Sequence, residues 1–70
     1  MSLYQQIEDY MSDGLPRCAN QVSFDLNQPA KGVEKALNEM VEAGTLAHIR
    51  MIGNKNGYIL VQHGGYGGAA

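Results

Sequence analysis

The sequence predicts an α+β domain, three helices followed by a two-stranded β-hairpin. Three observations carry that expectation. Apolar residues recur at helical spacing from Leu3 to Val41. After Gly44 the period changes to β-branched and apolar runs. Chain breakers stand at the junctions: Gly14 and Pro16, then Asn27 to Pro29, then Gly44, and finally a glycine- and asparagine-rich stretch at 53–57.

Taken in order, Ser2 followed three residues later by Gln5 has the form of a capping box. Such a pair satisfies the free backbone donors at a helix start. Leu3, Ile7, Tyr10 and Met11 then line one face of a first helix, expected at about 3–12. Gly14 can take the left-handed conformation that ends it, and Pro16 prevents its resumption. In the segment 17–26, Cys18, Val22 and Leu26 repeat at steps of four, with Ala19 beside them. That stripe favours a second helix, although the alternation of Val22, Phe24 and Leu26 also suits a strand. Phe24 falls off the helical stripe, so it packs sideways on another helix or is exposed.

Asn27 or Gln28 is expected to cap the third helix, with Pro29 in its first turn, where a missing N–H costs nothing. Val33, Ala36, Leu37, Met40 and Val41 form its buried stripe; Gly44 stops it, and Leu46 closes the end with an apolar contact. Two strands are expected at 45–52 and 58–61, flanking a polar tip at 53–57 whose glycines and asparagines tolerate positive φ. The whole domain spans 1–62. The tail 63–70, with four glycines and one tyrosine, offers too little apolar surface to repay ordering and is expected to be flexible.

Composition narrows the function classes. Seventy residues make one domain with a thin core, and 44% hydrophobic against 17% charged residues is a globular balance rather than a disordered one. No apolar run approaches the ~18 residues of a membrane span, and the first residues lack the basic and apolar regions of a secretory signal. No membrane partner is therefore expected, and the cytoplasm is the expected compartment. The one cysteine, Cys18, excludes an internal disulfide and a cysteine-based zinc site, and is expected to act as a small buried hydrophobe.

No catalytic residues, cofactor or metal site are expected. His48 and His63 stand fifteen positions apart without further ligands, and His48 is expected on a strand surface or cross-strand contact. Glu8 and Asp9 point in different directions on a helix, and no phosphate-binding GxxxxGK[ST] loop is present. Tyr4, Tyr10 and Tyr58 are expected at the core or its rim. Charge is unevenly spread. Residues 1–27 carry Glu8, Asp9, Asp13 and Asp25 against Arg17, a balance of −3; residues 28–70 carry Lys31, Lys35, Arg50 and Lys55 against Glu34, Glu39 and Glu42, a balance of +1. Any preference for an anion belongs to the second half.

The order of three helices and a hairpin, and in particular the stretch SFDLNQPAKGVEKALNEMVEAGTL at 23–46, resembles the winged helix-turn-helix domain of bacterial transcriptional regulators. In that family the second helix of the motif ends in a Leu-x-x-Leu-x-x-x-Gly-Leu-like pattern. Leu37, Met40, Val41, Gly44 and Leu46 match it here, with Thr45 inserted after the glycine. The chain is also similar to small regulators of fimbrial operons and to a small protein associated with ferrous-iron transport. The latter family carries a cysteine cluster in its wing, which this sequence lacks.

The resemblance implies a small DNA-binding regulator that docks the third helix in a major groove and steadies it with the hairpin wing. Gln28, Ala30, Lys31, Lys35 and Asn38 would then face DNA from the helix, and Arg50, Asn54, Lys55 and Asn56 from the wing. Double-stranded DNA is the expected partner. The net charge of −2 limits phosphate attraction. The alternative is a winged-helix protein-interaction module, an adaptor or inhibitor, and self-association as a homodimer is a third possibility.

Overall fold

The computed structural model describes residues 2–61. The expected order is present: helix α1 (Leu3–Tyr10), a single 3-10 turn (Met11–Asp13), α2 (Ala19–Leu26), α3 (Ala30–Glu42), and strands β1 (Leu46–Met51) and β2 (Lys55–Leu60). The second segment is a helix, not a strand. The tail expected at 63–70, with His63, lies outside the described residues.

Helix α1 starts as its sequence dictates, but with half of the capping box. The Ser2 side chain accepts from the Gln5 backbone N–H at 3.2 Å, whereas the Gln5 side chain donates forward to Asp9. The forward bond links residues one turn apart on the same face, which draws Gln5 away from the helix start. The helix tightens into the 3-10 turn at Met11, and Gly14 ends it with a φ of +79°.

Between α2 and α3 the caps differ from expectation. Asn27 closes α2 in the left-handed conformation, φ +56°, a role asparagine fills where glycine is absent. Pro29 is the N-cap of α3 and supplies no side-chain hydrogen bond. The two helices are instead joined through backbone and hydroxyl: the Gln28 N–H donates to the Ser23 carbonyl at 3.1 Å, and the Ser23 hydroxyl donates to the Gln28 carbonyl.

The stripe predicted for α3 is the spine of the core. Val33, Ala36, Leu37 and Met40 are buried, and Val41 packs at the margin. Ile7 and Met11 meet them from the first helix and the turn after it, Val22 from α2, and Leu46 and Tyr58 from the hairpin. Gly44, φ +88°, turns the chain out of α3, and Leu46 buries itself directly after it. Among the described residues no buried side-chain polar atom lacks a partner.

Strands β1 and β2 pair antiparallel, from Leu46 opposite Leu60 to Met51 opposite Lys55. This register confines the turn to residues 52–54 and draws Lys55, Asn56 and Gly57, expected in the tip, into β2. Gly53 and Asn54 supply the positive φ angles that a three-residue hairpin loop demands. Gly57 leaves room for a neighbour: a Cβ there would lie 2.3 Å from the Met51 sulfur, so the Met51 side chain would have to move to admit one.

One feature carries no sequence period. Arg17 forms an isolated antiparallel bridge with Tyr58. Its N–H donates to the Tyr58 carbonyl at 2.9 Å, and the Tyr58 N–H donates back at 2.8 Å. The segment leading into α2 thereby becomes a one-residue third strand, tying the hairpin to the helices.

Candidate functional site

Tyr58 organises the surface where the hairpin meets α3. Its backbone is held by Arg17, and the residue is 6% exposed. The phenol donates to Asn38 Oδ1 on α3 at 3.0 Å. Burial pushes the Tyr58 phenol above its ordinary pKa, and the charge of Glu34 acts in the same direction. The hydroxyl is therefore a neutral donor at physiological pH. On the strand opposite, His48 stacks on the Tyr58 ring, centroids 5.0 Å apart. This is the cross-strand surface position expected of His48.

Around this hub lies an open groove of about 720 Å³. From α3 it receives Glu34 and Asn38, from the hairpin His48, Lys55, Asn56 and Tyr58. Its far wall is the start of α2, where Cys18, Ala19, Asn20 and Gln21 precede the ring of Phe24. Phe24 is 81% exposed, which settles the choice that its off-stripe position left open. Cys18 is half-buried at the N-cap of α2 rather than enclosed in the core. A cap residue sits one step outside the helix, so its side chain leaves the buried stripe.

A second, shallower trough runs along the outer side of α3, lined by Lys31, Glu34, Lys35, Asn38, Glu39 and Glu42. Two lysines face three glutamates there. No pair of these is close enough for an ion pair among the described residues, where the salt bridge is Arg17 to Asp13 at 2.6 Å.

The structure thus distributes the sequence-predicted positions unevenly. Asn38, Lys55 and Asn56 share the main groove; Lys31 and Lys35 share the trough with Asn38. Arg50 is exposed opposite Asn56, so it stands on the same face of the hairpin, with its guanidinium donating to Asn54 Oδ1 in the turn. Ala30 is exposed in the first turn of α3, and Gln28 is half-buried between α2 and α3 in the chain; neither lines the groove or the trough. Sequence reasoning did not single out Asn20, Gln21, His48 and Tyr58 as lining residues. Their only signal was polarity within or beside an apolar pattern.

Arg17 is committed elsewhere. Its guanidinium makes two bonds to Asp13, at 2.9 and 2.6 Å, and lies 4.5 Å from the centre of the Tyr10 ring. Asp13 is held down at about 2 by those Arg17 hydrogen bonds, with the Leu15 N–H adding to them. Tyr10 in turn donates to Asp25 on α2, which lowers the Asp25 carboxyl. This chain of polar contacts braces the bridge strand against both α1 and α2.

No protein-family model matches the chain, and neither a curated protein nor a solved structure matches it. Among the described residues no cluster of histidine, cysteine or carboxylates could hold a metal ion, and no helix is long and apolar enough to cross a membrane. What the surface can do chemically is hydrogen-bond: its groove is rich in amides, nearly neutral in charge, and flanked by one bare aromatic ring.

Proposed function

We propose that this chain is a winged helix-turn-helix DNA-binding regulator. Helix α3 enters a major groove, and the hairpin acts as a wing against the neighbouring backbone. The observation that carries the reading is the two-bond bridge between Arg17 and Tyr58. It supplies the short strand between the first two helices and holds the hairpin beside α3, so that helix and wing flank one open groove. A helix fits the major groove of B-form DNA, and on this reading the wing beside it meets the phosphates.

The charges set the character of the binding. Lys31, Lys35, Arg50 and Lys55 are exposed on or near this face, and each phosphate contact contributes about −0.9 to the slope of log K against log salt. Four such contacts give a slope of about −3.6. Affinity without sequence preference is weak, and the amides Asn38 and Asn56 have to supply discrimination. Fluorescence anisotropy against a pool of random duplexes tests this: retention near 50 mM salt that falls with a slope of about −2 to −4 agrees with it. No retention at any salt defeats it.

A second reading has its own observation. Phe24 stands 81% exposed beside a groove that contains Glu34, a combination suited to a protein partner. A stable complex recovered from extract, lost on Phe24→Ser and unaffected by nuclease, would favour this alternative.

A further inference from the structure

The carboxylate of Glu34 is out of place on a surface that meets phosphates. It lies on α3 between Lys31 and Lys35, lines both the groove and the trough, and makes no hydrogen bond or ion pair among the described residues. Four residues on, Asn38 has its Oδ1 engaged by the Tyr58 hydroxyl, which leaves its amide N–H groups and one lone pair for a ligand.

The chemistry of base edges gives these two side chains different targets. An ionised carboxylate only accepts hydrogen bonds. In the major groove the available donors are cytosine N4 and adenine N6, and the adenine donor lies beside the N7 acceptor, which repels a carboxylate. Cytosine is left. An amide, donor and acceptor together, matches the N6/N7 pair of adenine. Resting on the DNA-binding reading above, we propose that Glu34 and Asn38 are the specificity-determining pair of α3, Glu34 recognising a cytosine and Asn38 an adenine. Four helical residues span about 6 Å, so the two bases lie one to two base steps apart.

The reassignment gives Glu34 a signature that simple repulsion lacks. Glutamine keeps the length and helix propensity of glutamate but acquires the adenine-matching amide. The experiment selects duplexes from a randomised pool with the full chain. It then titrates wild type, Glu34→Gln and Asn38→Ala by anisotropy on the selected duplex and its single-base-pair variants, with circular dichroism melts confirming that each variant folds. The expected result is an enriched C and A at that spacing. Glu34→Gln should bind the selected site about tenfold more weakly and recover on the duplex with A in place of that C. Asn38→Ala should lose preference at the adenine alone.

Tighter binding of Glu34→Gln to every duplex, with base preference unchanged, would overturn the assignment and leave Glu34 a repulsive charge. Binding by wild type with no enriched pair would overturn it too, while sparing the DNA-binding reading. If wild type retains no duplex at all, both fall together.

Discussion

Replacing Tyr58 by phenylalanine removes one oxygen and leaves the ring, its stacking on His48 and the backbone bridge to Arg17 in place. What is lost is the 3.0 Å hydrogen bond to Asn38, the side-chain bond joining the hairpin to α3. A hydrogen bond of this kind contributes a net 0.5–1.5 kcal/mol or so. Asn38 is exposed, so its freed oxygen is taken up by water and no penalty for a stranded acceptor is added. The expected loss is therefore about 1 kcal/mol, from a total on the order of 5 kcal/mol for a domain of this length. The midpoint of thermal unfolding should fall by about 4–8 °C. Urea unfolding followed by circular dichroism, with Tyr58→Phe, Asn38→Ala and the double variant, isolates the pair from any change in helix propensity at position 38. A coupling of about 1 kcal/mol with an unchanged m-value is expected. A coupling below about 0.3 kcal/mol would show that the hydroxyl does not hold the hairpin to α3.

Three further outcomes are expected. Lys31→Ala and Lys35→Ala should each weaken DNA binding on all sequences alike and reduce the salt slope by about 1, measured by anisotropy between low and physiological salt; an unchanged slope removes that lysine from the phosphate contacts. Because the Asp13 carboxyl is lowered to about 2 in the folded chain, its contribution is present above the ordinary carboxylate pKa and is lost as pH falls from near 4 towards 2. Denaturation at stepped pH should show Asp13→Asn less sensitive than wild type over that window; equal sensitivity contradicts the paired carboxylate. Phe24→Ser should change stability by no more than about 0.5 kcal/mol, as for an exposed position without structural partners, and a larger drop in a urea melt would show the ring to be packed.

Long, strongly periodic elements were legible in the sequence because a single physical rule determines them. Val33, Ala36, Leu37 and Met40 can share a buried face only if the chain between Pro29 and Gly44 is helical, and the structure buries all four. Gly14 and Gly44 were readable as helix stops because the left-handed conformation needed there strongly favours glycine. The hairpin was legible in kind but not in register. Lys55 to Gly57 look like turn residues by type, yet the pairing of Met51 with Lys55 takes them into β2. Cap assignments failed where two neighbours had competing uses: Asn27 suits an N-cap and a left-handed C-cap, and the exit from α2 claims it.

The site was less legible than the fold. Lys31, Lys35, Asn38, Lys55 and Asn56 could be placed on the helix and hairpin from spacing alone. The bridge between Arg17 and Tyr58 could not, since a single-residue pair leaves no period and its partners stand far apart in the chain. The same contact makes Tyr58 the hub of the groove, which its place in an apolar run concealed. The involvement of Arg17 with Asp13 was equally hidden, although an Asp and an Arg four residues apart can pair when the intervening turn brings them together.

The most direct measurement is a heteronuclear NMR titration of the ¹⁵N-labelled full chain with a selected duplex. If α3 and the hairpin form one DNA-binding surface, amide shifts should concentrate at 30–38 and 54–58, with α1 little changed. Shifts confined to α1, or none at saturating duplex, would contradict the account.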